Sequence, residues 1–175
     1  SLVTRCAARQ NTATRPTLNE CVSSAHGQYV ALLTAGDAYE PDRIELMTRM
    51  LSMSGSRWGF SGIRFMDVHG RRLRYGDNAA VDTLMRRLDE IHEERPATAA
   101  LLQFNHALAS GNLVCERRLW DELGGFREDC ADPCWDFCVR ASLAAAPAIL
   151  FEPKYAHRIR DAETDSHVRM PPTAQ

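Results

Sequence analysis

Apolar and polar positions alternate along this chain with two periods, and the switches between them mark out its elements. Leu18, Cys21, Val22 and Ala25 recur at i, i+3, i+4 and i+7 between Pro16 and Gly27, which predicts a helix ended by a C-cap glycine. Ile44, Met47, Met50 and Leu51 follow Pro41 and stop at Gly55, a second helix. Val81, Leu84, Met85, Leu88 and Ile91 give a third over residues 78–95, charged on its outer face and stopped by Pro96. Leu119, Trp120 and Leu123 predict a short helix over 116–123, halted by Gly124 and Gly125. Asp132 as N-cap, Pro133 in the first turn and Trp135, Val139 and Leu143 at i, i+4 and i+8 predict another.

Short apolar runs of strand length lie between these helices, at residues 2–8, 29–33, 58–67 and 148–151. The run 29–33 is unbroken, as in a strand buried on both faces of a parallel sheet. Residues 68–75 read as an edge hairpin around His69 and Gly70. Glu152 and Pro153 are expected to end the last strand. Strands alternating with helices predict an α/β fold in which the four runs share one mixed sheet. A single domain over 1–160 fits 175 residues with 45% hydrophobic content, and 161–175 offers too little to bury and reads as a loose tail.

Charge narrows the function. The formal net charge is -2, with no basic stripe, so nucleic acid and anionic membrane surfaces are not expected partners. No apolar run reaches membrane-spanning length. Six cysteines lie at 6, 21, 115, 130, 134 and 138 without paired C-x-x-C spacing. They read as free, mostly buried thiols of a reducing compartment, which gives a cytoplasmic expectation, and no metal site is assigned to them.

Three segments carry a family resemblance. QNTATRPTLNECVSSAHGQYVALLTAGDAYEPDRIELM, GNLVCERRLWDELGGFRED with CWDFCVRA, and LFEPKYAHRIRD resemble, in this order, the family 2 glycosyltransferases. The resemblance implies a GT-A fold, a Rossmann-like mixed sheet flanked by helices. It also implies transfer of a sugar from a nucleotide-sugar donor to a hydroxyl of a saccharide or lipid-linked acceptor, a step relevant to polysaccharide biosynthesis. The implied cofactor is Mg²⁺ or Mn²⁺ on an acidic D-x-D turn, and a carboxylate serves as base. The family's first, nucleotide-gripping segment has no counterpart here, which implies a preceding segment in a larger chain.

The implied site residues depart from the pattern. Thr34 and Gly36 stand at the D-x-D positions and only the adjacent Asp37 remains, either as a donor or metal ligand or as a turn cap. Cys134 stands where an acid precedes the Trp-Asp-Phe run. Asp136 and Asp132 are the nearest substitutes as catalytic base, with helix capping the other reading of Asp132. Arg160 stands where relatives place a metal-holding histidine, and can meet a phosphate directly. Gly111 and Asn112 form the acceptor-side turn. A weak or inactive transferase-like domain is the first expectation. The alternatives are an active inverting transferase using substitute acids, and a non-catalytic α/β interaction domain. Restoring Gly36→Asp and Cys134→Asp is expected to return metal binding before activity.

Overall fold

The computed structural model describes residues 14–92, 96–127 and 129–159. The first strand expected from sequence, at 2–8, and the tail at 161–175 lie outside them.

Among the described residues, six α-helices and five strands run in the order α1 (Thr14–Ser23), β1 (Tyr29–Ala31), β2 (Ala38–Tyr39), α2 (Arg43–Ser54), β3 (Trp58–Met66), α3 (Ala79–Asp89), α4 (Ala97–Gln103), β4 (Leu113–Glu116), α5 (Arg117–Leu123), α6 (Pro133–Ala144) and β5 (Ala148–Arg158). The strands form one mixed sheet ordered β1-β4-β3-β5-β2, in which β3 and β5 are parallel and every other pair is antiparallel. The α/β class and the mixed sheet expected from the hydrophobic pattern are therefore present.

Caps account for the helix ends. Gly55 and Gly124 close α2 and α5 at φ 70° and 71°, the left-handed conformation that glycine adopts without a Cβ penalty. The Asn78 side chain accepts from the N–H groups of Ala80 and Val81 and starts α3. That helix is shorter than the expected 78–95, since it tightens into a 3-10 turn at Glu90–His92. Val81, Leu84 and Leu88 pack with Phe65 and Leu73 against the sheet, each fully buried side chain contributing roughly 1.5–3 kcal/mol.

Three expectations are corrected, and two elements were missed. Strand β1 is an edge strand, antiparallel to β4, with Ala31 and Leu33 exposed, so the run 29–33 is not buried on both faces. Strand β4 itself, and the short helix α4, were not legible in the sequence. Strand β5 does not stop at Glu152 and Pro153. It passes through them in a bulge, where the partner of Ser61 is Leu150 but that of Gly62 is Pro153, and it runs on to Arg158. Finally, α6 buries Cys134, Phe137, Cys138 and Ala141 rather than the stripe Trp135, Val139 and Leu143. Leu143 is 78% exposed, because the cysteines behave as small apolar residues and Phe137 stacks on Trp120 and Phe126.

Candidate functional site

The bulge in β5 decides where the site lies. By carrying the strand past Pro153, it brings Tyr155 and Ala156 beside Tyr39 and Ala38 of β2, and so sets Arg158 against the turn that ends at Asp37. The Asp37 side chain is only 6% exposed. Its Oδ1 accepts from the Arg158 backbone N–H at 2.9 Å and lies 3.4 Å from His157 Nδ1, while its Oδ2 accepts from the Tyr155 hydroxyl. Burial on its own would raise the pKa of this carboxyl. The hydrogen bonds from His157, the Arg158 backbone and Tyr155 outweigh that and hold it below 3.8.

The Arg158 side chain fastens two turns together. Its Nε donates to the Gly36 carbonyl at 2.7 Å, and its Nη1 donates to the carbonyls of Asp67 and Val68 at 2.9 and 2.8 Å. Three backbone oxygens thus converge on one guanidinium, in the turn where the resemblance implied a divalent cation.

Behind Asp37 a buried polar layer connects β2, α2, β3 and the 3-10 turn Ser110–Asn112. The Tyr39 hydroxyl lies between the carbonyls of Leu32 and Gly111, 2.8 Å from the latter, and burial raises its pKa to about 12. Arg43 is 0% exposed. Its Nη2 donates to the Asn112 backbone oxygen at 2.7 Å and to Asn112 Oδ1 at 2.9 Å, its Nε donates to Ser61 Oγ at 3.2 Å, and its guanidinium covers the Tyr39 ring at 4.3 Å. Burial lowers the pKa of Arg43, whose hydrogen bonds go to neutral oxygens and whose Nη1 makes none. Asn112, also 0% exposed, returns donors to the carbonyls of Ser61 and Ala107 at 2.8 and 3.2 Å.

The residues singled out from sequence fall in three places. Asp37 is joined to the Gly111–Asn112 turn through Tyr155 and Tyr39. Tyr155 packs so closely on Gly111 that a Cβ there would meet its hydroxyl at 2.5 Å. Asp132 caps α6, accepting from the Trp135 N–H at 2.9 Å and from Asn105 Nδ2 at 3.3 Å. Asp136 is paired with Arg140 at 2.6 Å and Arg127 at 3.5 Å. Among the described residues, no hydrogen bond or ion pair links either α6 acid to the Asp37 turn. Cys134, where the resemblance implied an acid, is 4% exposed within the core. Arg160 lies outside the described residues.

Sequence reasoning missed Tyr39, Arg43, Ser61, Tyr155 and Arg158. One signal was available for Arg43, which stands at i, i+4 and i+8 with the buried Met47 and Leu51 and so occupies the apolar stripe of α2. Leu108 was missed as well. It holds φ 62° in the buried loop ahead of the 3-10 turn, where Asn105 Oδ1 accepts its N–H at 3.1 Å.

The donor chemistry of the Asp37 turn does not suit a hard divalent cation. Gly36 brings no side chain, both Asp37 oxygens already accept hydrogen bonds, and a guanidinium lies on the carbonyls that remain. Among the described residues there is no group of three or more His, Cys, Asp or Glu able to hold a metal. The cysteines divide in two. Cys115, Cys134 and Cys138 are free, whereas Cys21 is disulfide-bonded, so the expectation of six free thiols, and with it the cysteine argument for a reducing compartment, fails at Cys21. Burial raises the Cys115 pKa to about 12 and pushes Cys138 well above its ordinary value, which makes both poor nucleophiles at neutral pH. No described helix is long and apolar enough to cross a membrane. No family model matches the sequence, and no curated protein matches it at a significant level.

Proposed function

We propose that the chain is a family 2 glycosyltransferase-like domain, of the Rossmann-like GT-A type, in which the donor-metal turn has become a structural anchor and which does not transfer sugar by itself. The order of elements supports the relationship: an acidic turn follows the second run, and the closing strand returns beside it. The observation that carries the functional half is the engagement of Asp37. Its two oxygens bind Tyr155, the Arg158 backbone and His157, and Arg158 supplies a positive charge at the same turn. Cys134 lies in the core and brings no carboxylate, Asp132 caps α6 and Asp136 is paired with Arg140, so none of these three positions offers a free carboxylate as base.

Calorimetric titration with Mn²⁺ and a panel of nucleotide sugars, alongside a transfer assay, tests this. The expected result is no metal-dependent nucleotide-sugar binding tighter than about millimolar and no turnover, with Asp37→Asn lowering the melting temperature. Metal-dependent transfer abolished by Asp37→Asn in a protein that still folds would overturn the reading.

A further inference from the structure

Strand β3 is the middle strand of the sheet, yet part of its edge on the β4 side has no partner strand. Pairing with β4 ends at Phe60 and Leu113, and on that side the next contact is the bridge from Met66 to Arg72. The backbone groups of successive strand residues point to alternate sides. Ile159 N–H donates to the Met66 carbonyl, so Met66, Arg64 and Gly62 turn their backbone groups toward β5, while Phe65, Ile63 and Ser61 turn theirs away from it. Both neighbours of Ile63 on the open side are engaged. The Asn112 side-chain amide accepts from Ser61 N–H at 3.2 Å and donates to the Ser61 carbonyl at 2.8 Å, and the Phe65 carbonyl accepts from Leu73 N–H at 2.9 Å. Between them, the N–H and C=O of Ile63 have no hydrogen-bond partner among the described residues.

A half-buried strand residue with both backbone groups unpaired is rare enough to point to a ligand. Space for one is present. A cavity of about 310 Å³ runs along residues 60–65 of β3, bounded by α3 and the 3-10 turn Glu90–His92, at the lower end of the roughly 300–1,000 Å³ in which proteins hold small molecules. Its side chains favour no ion, because Arg64 is paired with Glu40 at 2.8 Å and Arg72 and Asp89 bring opposite charges.

We propose that this cavity binds a short peptide, one residue of which pairs with Ile63 as an antiparallel strand would. The N–H of that residue donates to the Ile63 carbonyl, and its carbonyl accepts from the Ile63 N–H. From Ser61 to Phe65 the edge spans about 13 Å. Both ends are occupied, so the gap admits one residue with its two flanking peptide groups and not a full strand. Cross-strand partners direct their side chains to the same face. Ile63 packs in the cluster that contains Met85 and Leu88, so the peptide residue is an apolar one, whose side chain joins them.

The probes are N-acetyl-leucine methylamide and its analogue methylated on the leucine nitrogen, titrated into the whole chain by calorimetry and followed by nitrogen–proton NMR at the Ile63 amide. Saturable binding of the first is expected, with a downfield shift of the Ile63 amide proton. The analogue lacks the donor for the Ile63 carbonyl and should bind about tenfold more weakly. Met85→Trp, which fills the cavity, should bind neither, and if circular dichroism shows that variant unfolded, Leu88→Phe takes its place. No saturable binding up to the solubility of the probe, equal affinities for the two probes, binding that leaves the Ile63 amide unmoved, or binding retained in the filled variant would each overturn the proposal.

Discussion

Asn112 shows how one amide can hold several elements together. Its Oδ1 accepts from Ser61 N–H at 3.2 Å, Ser61 Oγ at 3.0 Å and Arg43 Nη2 at 2.9 Å, while its Nδ2 donates to two carbonyls. Replacing it by alanine leaves buried partners on β3, α2 and the loop before β4 unpaired, each costing about 1–3 kcal/mol. Asn112→Ala should therefore lose at least about 3 kcal/mol in urea denaturation. Arg43→Met should cost far less, because it removes a buried charge that no carboxylate balances and keeps the apolar contact with Tyr39. Asp37 gives a pH prediction. Its folded pKa lies below the unfolded value of 3.8, so its contribution to stability is present above that value and is lost as pH falls through the folded pKa. Urea midpoints measured from about pH 5 to about pH 2 should drop steeply at the acid end, and the drop should be shallower in Asp37→Asn.

Among the elements, those whose signals are local were legible in sequence. Helix α2 announced itself by its period and Gly55, α3 by the spacing of Val81, Leu84, Met85, Leu88 and Ile91, and α6 by Asp132 and Pro133. Which face α6 buries was not legible, because hydrophobicity ranks Leu143 above Cys138 and only the neighbouring Trp120 and Phe126 reverse that order. Strand β4 has four residues and a polar end, and it exists because β1 and β3 lie on either side to pair with it. The bulge was hidden for a related reason: a proline in a strand reads as a stop unless its partner strand makes room. Gly62 makes that room, since a Cβ there would lie 2.4 Å from the Phe151 carbonyl oxygen and 2.9 Å from that of Glu152. Both obstacles are backbone and cannot swing aside. Gly62→Ala should thus cost about 2–4 kcal/mol by thermal melts and disturb Tyr155 downstream, whereas Gly55→Ala, with open space around it, should cost only about 1 kcal/mol for its positive φ.

At the scale of the whole molecule, the candidate site is a meeting of distant segments, which is why its acid was visible in the sequence and its partners were not. Asp37 and Arg158 are 121 residues apart, and only the path of β5 brings them together. The same geometry decides what acids placed at positions 36 and 134 would do. Gly36 has φ 101°, a conformation strained for aspartate, and its carbonyl already receives Arg158 Nε. A carboxylate introduced there by Gly36→Asp meets that guanidinium before any metal and forms an ion pair with it. Cys134→Asp fares worse, because position 134 is 4% exposed among Phe137, Cys138 and Ala141, and a charge placed there loses its hydration without gaining a partner. The double substitution should therefore gain no Mn²⁺ affinity by calorimetry, and its melting temperature should fall mainly through Cys134→Asp. A metal affinity that rises in Gly36→Asp alone would mean that Arg158 yields the turn to a cation, and that the anchor at Asp37 is looser than its hydrogen bonds imply.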